Sequence, residues 1–478
     1  MPLLISSKAE RYFYLIVSLL LLFYSGYRCY NLGFTHDESI SYNKIIHQNL
    51  YQIFTNNSNF VTANNHILNS LFMKYFELWL GPQEIYLRLH SFFAHIIYLL
   101  FSFLLLKNFK NPWIAAIGFL ILNVNPYLLD FFSLARGYAL SIAFMMMSVY
   151  YFIEFTKKES FKQIVLCLIA GLLATLANFS MVTFITSVIL LFECFMLWKR
   201  YSFKQFFIKN VPVVFVALSL YALYKWPITK LIQYKELYFG GWQGLWRDTA
   251  LSSIDFFLYD SRYLELFSGF LRFFLLAVIF TSFYVLVKKI KNRSISGVDY
   301  IFILFIVILV NHYAQHIIMH TNFIRERVAL FLVPLFFMST FNIWSYFWER
   351  ASIKKIISSL MIYIFIIILV FVSVESLNFS YTYDWKYDAD TKKAMNDVGN
   401  LQTKNVMKIS NTWLYEPSIN FYRQTQSLTW LVPANRDEIN NNSDFYLISE
   451  EDFKTLDKSN KQIVNHYETT HLVLLKKY

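Results

Sequence analysis

The chain has 478 residues, 56% of them hydrophobic and 20% aromatic, with only 15% charged. Soluble domains average roughly 25% charged residues, so this composition is short of polar surface and excludes both an ordinary globular domain and a disordered chain. The 12 glycines and 9 prolines exclude collagen-like or low-complexity architecture, and the three cysteines (Cys29, Cys167, Cys194) all lie in apolar stretches that provide no disulfide framework.

A helix needs about 20 mainly apolar residues to cross the hydrocarbon core. By that measure spans are expected near 12–30, 85–106, 112–129, 137–156, 163–178, 180–198, 210–226, 266–287, 300–319, 328–348 and 353–373, about eleven in all. No small-residue cleavage site follows the first, which is read as an uncleaved helix.

Basic residues sort the loops. Lys8 and Arg11 precede the first span; Lys107 and Lys110 follow the second; Lys157, Lys158 and Lys162 follow the fourth; Lys199, Arg200, Lys204 and Lys209 follow the sixth. Lys288, Lys289, Lys291 and Arg293 follow the eighth, and Arg350, Lys354 and Lys355 the tenth. Cytoplasmic loops collect Lys and Arg, so the N-terminus is expected in the cytoplasm and the tail outside the inner (plasma) membrane. The net charge of +12 then reflects topology and calls for no nucleic acid.

Two outer loops are expected to be long, 31–83 and 227–265. The first holds helix-like stretches at 37–54 and 66–80 that are too polar to cross. The second carries an aromatic run with Tyr238, Phe239, Trp242 and Trp246. From 375 the composition turns polar, and apolar runs at 406–409, 445–448 and 472–475 alternate with helix-like stretches at 390–400 and 416–423. This predicts an all-α polytopic domain over 1–374 followed by a small α/β extracytoplasmic domain over 375–478. Neither an internal repeat nor an inverted transporter repeat is evident.

Four polar clusters fall on the outer side. Thr35, His36, Asp37, Glu38 and Ser39 follow the first span; they read either as a helix cap with an acidic first turn or as a general base beside a second carboxylate. Asn64, Asn65 and His66 open another loop helix, one asparagine as its cap and His66 as a structural or a site histidine. Asp130, Arg136 and Tyr138 lie between the third and fourth spans, where Arg136 either pairs with Asp130 or offers its fork to a phosphate. His312, His316 and His320 form one helical stripe ahead of Arg325, Glu326 and Arg327. At 1.5 Å per residue their rings spread over about 12 Å, which suits the lining of a polar cavity better than one metal ion. Zinc, Walker, dinucleotide and serine-nucleophile motifs are absent, and Asn178 and Glu193 are read as interhelical packing.

Together the Asp-Glu at 37–38, the Asn-His at 65–66, the Ala-Arg-Gly-Tyr at 135–138 and the Arg-then-Pro pattern of Arg327 and Pro334 resemble the GT-C glycosyltransferases. The match is to the family-39 type, which includes protein O-mannosyltransferases and aminoarabinose lipid A transferases. His66-Ile67-Leu68 departs from the His-Pro-Pro of many members. The resemblance implies a polyprenyl-phosphate-linked sugar donor, an acceptor hydroxyl on a glycan, glycolipid or protein, and an inverting displacement. It makes Asp37 the base with Glu38 beside it, assigns the donor phosphate to Arg136, Arg327 and His66, and leaves Asn65, Tyr138, Asp130, His320 and Arg325 as further candidates. No cofactor is demanded, the need for a divalent metal is left open, and the competing class is a polytopic transporter or glycolipid flippase.

Overall fold

The computed structural model describes residues 7–259, 264–350, 353–439 and 442–478, so the end of the second outer loop, 260–263, lies outside the described residues. Among them, eight helices are long and apolar enough to cross a membrane: Lys8–Asn31, Leu89–Leu106, Gly137–Lys158, Phe179–Lys199, Phe203–Gln233, Glu265–Lys291, Asp299–Met319 and Ile353–Ser376. Pro112–Asn123 and Phe161–Ala177 are shorter apolar helices, and Leu332–Trp348 is a largely buried one. The chain is thus a multi-pass helical protein, but length and composition do not establish the expected eleven spans.

Two of the expected spans differ for local reasons. The stretch 112–129 breaks because Asn125 accepts a hydrogen bond from the Leu128 amide and Pro126 starts a new helix, Pro126–Phe131. The stretch expected at 210–226 runs from Phe203 to Gln233, since Ser202 and Gln205 cap each other at its start.

The outer loops are folded. The first carries His36–Ile40, a π-helical turn Ser41–Ile46, and the helices Leu50–Thr55 and Ile67–Leu80. The second is tied to the 321–324 segment by a paired bridge between Gly241 and Phe323, and a Cβ at Gly241 would lie 2.0 Å from the Asp248 carboxyl.

The tail forms a four-stranded sheet of order β1-β2-β4-β3, with β1 Ile409–Asn411, β2 Phe445–Ile448, β3 Lys461–Tyr467 and β4 Leu472–Lys477. β1 runs parallel to β2 and the other pairs are antiparallel. Helices Thr391–Gly399 and Glu416–Thr425 cover it. This sheet shares a core with the first outer loop. Phe34 stacks on Phe421 at 4.1 Å, and both belong to a cluster with Tyr42, Ile46, Met73, Ile419 and Leu447. Burying aromatic area of this size contributes about 1.5–3 kcal/mol per side chain.

The linker between the last long helix and the tail is pinned to the first. Tyr24 donates to the Asn378 carbonyl at 2.9 Å, Arg28 to that of Tyr381 at 2.6 Å, and Asn31 to that of Phe379 at 2.7 Å. Asp130 accepts from the Tyr383 amide at 2.8 Å and pairs with Arg28 at 2.7 Å. Asp130 therefore does not pair with Arg136. The short helix 126–131 points it at the first span, while the turn after Phe132 sends Arg136 toward the first outer loop.

Candidate active site

Thr35 stands in extended conformation ahead of the His36–Ile40 helix. Glu38 reaches back to accept from its amide at 2.9 Å and its hydroxyl at 3.0 Å. The other side of Glu38 is clasped by Arg88, whose Nε and Nη2 donate at 2.8 and 2.7 Å, and by the Ala135 amide at 2.5 Å. Glu38 is 0% exposed. With both oxygens engaged inside the protein, it is a clamp that fixes the short helix, not a group turned toward a substrate.

Asp37 is the opposite case. Its Oδ1 accepts from Asn64 at 3.4 Å, while its buried Oδ2 has no hydrogen-bond partner. Arg136 Nη2 lies 3.2 Å from Oδ2 and Arg327 Nη2 3.6 Å from it. Burial alone would raise the Asp37 carboxyl; the guanidinium groups of Arg136 and Arg327, with His36 and His66, outweigh it and hold the pKa below the ordinary carboxylate value.

Arg136 is fully buried and donates through Nη2 to Asn64 Oδ1 at 3.0 Å. The same nitrogen lies 3.4 Å from His66 Nε2. Its Nε and Nη1 have no hydrogen-bond partner. Such orphaned cationic donors are costly unless a ligand completes them. Gly137 makes this placement feasible: a Cβ there would sit 1.8 Å from the Ala177 carbonyl and 2.9 Å from the His66 side chain. Burial first, then the charge of Arg136, drives the His66 pKa well below its ordinary value. A neutral His66 that faces the guanidinium through Nε2 accepts there, which leaves Nδ1–H as its one ring donor.

The sequence reading missed one segment. Residues 384–388, just beyond the last long helix, wall the site. Asp384 accepts from Arg327 Nη1 at 3.2 Å and from the Tyr127 hydroxyl at 3.3 Å. The Trp385 ring lies 5.2 Å from the Arg327 guanidinium carbon and 6.0 Å from that of Arg136. Tyr387 meets His36 edge-on at 6.5 Å. Asp388 accepts from Thr391 at 2.6 Å and Ser418 at 2.5 Å. Nothing in the sequence marked this Asp-Trp-Lys-Tyr-Asp run except its position just after a span.

The remaining candidates separate. Tyr138 packs edge-on against His66 at 5.3 Å and belongs to the site wall. Asn65 is spent on the Ile53 carbonyl and Ser70, and Asn64 takes its place beside Asp37. Arg325 turns to Glu326, and His320 is an exposed helix cap in left-handed conformation. His312 accepts from the Ile324 amide at 3.0 Å and His316 donates to the Thr321 carbonyl at 2.6 Å, so the stripe fastens a loop instead of lining a cavity. Among the described residues no group of His, Cys, Asp and Glu is arranged to hold a metal ion.

An apolar cavity of about 320 Å³ lies between the second outer loop and the helices around Phe274, Phe305 and Phe336. It shares Ser253, Phe257 and Val333 with a smaller pocket that reaches Tyr127 and Glu326, beside Arg327.

No protein-family model matches this chain, and no curated protein matches it by sequence. Solved structures do match. ArnT from Cupriavidus metallidurans in the apo state overlays with a TM-score of 0.55 at 11% identity, over 98% of each chain. The same protein bound to undecaprenyl phosphate overlays at 0.51 and 12%, again over 98% of each chain. Archaeal oligosaccharyltransferase AglB from Archaeoglobus fulgidus, in complex with an inhibitory peptide and a dolichol-phosphate, gives 0.42 at 12% identity over 87% of this chain and 64% of its own. With one architecture shared from end to end with ArnT, the chain has the GT-C fold.

Proposed function

We propose that this protein is a membrane glycosyltransferase that moves a sugar from a polyprenyl-phosphate donor to an acceptor hydroxyl on the extracytoplasmic face, with inversion. The observation that carries the reading is a buried carboxylate, Asp37, whose Oδ2 lies 3.2 Å from Arg136 Nη2 in the same site where Arg136 Nε and Nη1 are left without hydrogen-bond partners. Asp37 takes the acceptor proton as the hydroxyl oxygen bonds to the anomeric carbon. The bond from that carbon to the phosphate oxygen breaks, and the electron pair leaves with the lipid phosphate. Arg136 and Arg327 meet the charge that gathers there. Phosphate contact also draws both guanidinium groups off Asp37, which raises its basicity at the moment the base is needed. The apolar cavity suits a prenyl chain, and its continuation past Tyr127 leads toward Arg327.

A transporter or flippase would favour charges at the membrane midplane and broken, repeated helices. Here the charges gather at one end beside two folded loops, which favours the enzyme.

The test is purified protein with a panel of undecaprenyl-phosphate sugars and envelope glycan acceptors. One donor should be consumed and its sugar should appear with opposite anomeric configuration by NMR. Retention of configuration would remove the direct displacement, and no consumption of any donor would remove the enzyme.

A further inference from the structure

The Arg327 fork is occupied on both arms. Its Nη2 faces Asp37 at 3.6 Å and its Nη1 donates to Asp384 at 3.2 Å, and the Asp384 side chain is only 6% exposed. Asp384 is held in turn by the Tyr127 hydroxyl. Any phosphate that engages Arg327 therefore meets a carboxylate already bound there. Burial raises the Asp384 carboxyl to about 6 although Arg327 pulls it down, with Asp130 and Glu326 as the other charged groups facing it. At neutral pH the competitor is ionised.

Resting on the donor-phosphate reading above, we propose that Asp384 is a positioning residue that aims Arg327 and competes with the carrier phosphate for it, so that the spent lipid phosphate is released. Two anions near one guanidinium repel each other, and burial limits the screening that would quench the repulsion. Such a competitor turns a tight product site into one that empties. The donor gains nothing from a fork that never lets go, because uniform tightening of substrate and product slows turnover instead of speeding it.

The experiment measures undecaprenyl phosphate binding to the full chain in nanodiscs at pH 7.5, for wild type, Asp384→Asn, Asp384→Glu and Arg327→Gln. Asp384→Asn should tighten binding by about threefold to tenfold, which corresponds to about 0.7–1.4 kcal/mol, while Asp384→Glu should stay near wild type. On an Arg327→Gln background, Asp384→Asn should change affinity less, because the competition runs through that guanidinium. Where a donor is turned over, KM and kcat should both fall in Asp384→Asn. A merely structural Asp384 would lower Tm and weaken binding or leave it unchanged; either result overturns the inference. Asp384→Ser carries the same expectations should the asparagine variant misfold. If wild type does not bind the probe, or Arg327→Gln binds it as well as wild type, the phosphate assignment itself fails. If Arg327→Gln weakens binding and Asp384→Asn does not tighten it, only the role of Asp384 falls.

Discussion

Two adjacent carboxylates have opposite fates at the residue scale. Asp37→Asn keeps shape and the contact with Asn64 while removing the proton acceptor. Transfer should fall by roughly 10²–10⁴ with folding and undecaprenyl phosphate binding retained. A folded variant with wild-type turnover would end the mechanism. Glu38→Gln is a different experiment. It breaks a fully buried pair with Arg88, and removing one partner of such a pair costs about 3–5 kcal/mol; the loss should appear in Tm and yield, measured by thermal unfolding in detergent. Arg136→Lys keeps the charge but loses the fork, so carrier affinity should drop about tenfold or more. Asp130→Asn should lower stability through Arg28 and leave carrier affinity alone, since Asp130 has no contact with Arg136.

At the scale of elements, the tail is part of the site and not an appendage. The helix Glu416–Thr425 lies against His36–Ile40: Tyr422 accepts from the Phe34 amide at 2.6 Å, and His36 Nδ1 donates to the Leu414 carbonyl at 2.6 Å. Asp388 sits in that seam with its carboxyl raised to about 7, chiefly by burial. Its folded pKa lies above the unfolded value of 3.8, so its contribution to stability is present below that value and is lost as pH rises toward about 7. Asp388→Asn should therefore raise Tm at pH 8 and little at pH 4, as thermal melts at the two pH values will tell. While β1 meets its expected run, 406–409, only at Ile409, the tail helices and the strands β2 and β4 were legible because apolar runs announce them. β3 was not, because five of its seven residues are exposed and Asn465 and His466 break the apolar alternation at a bulge. Arg136 was legible as a charge that the membrane penalises, Asp37 as one of a carboxylate pair at the end of a span, and Arg327 through the Arg-then-Pro pattern of the resemblance. Asn64 against Asn65, the clamp of Glu38 by Arg88, and Asp384 were not, since each depends on which turn faces which across 27 residues or more.

For the whole molecule, alternating basic loops set the expected orientation. With Cys194 replaced by serine, a cysteine at exposed Gln402 should react with a membrane-impermeant thiol reagent in intact spheroplasts, and one at exposed Lys204 should be protected. The reverse pattern would invert the topology and move the site to the other side.

The pinned linker also sets a timetable for synthesis. Glu38 finds Arg88 after only 50 more residues, so the first loop can set early. Asp37 must wait for Arg136, then for Arg327, and its wall at 384–388 leaves the ribosome later still. Until the last helix has inserted and its following segment has docked on Tyr24, Arg28 and Asn31, the nascent chain holds an incomplete charge cluster with no reactive pocket. On the proposed mechanism a truncated or stalled product would therefore be inert, and the charge cluster closes only once the 384–388 segment has been made.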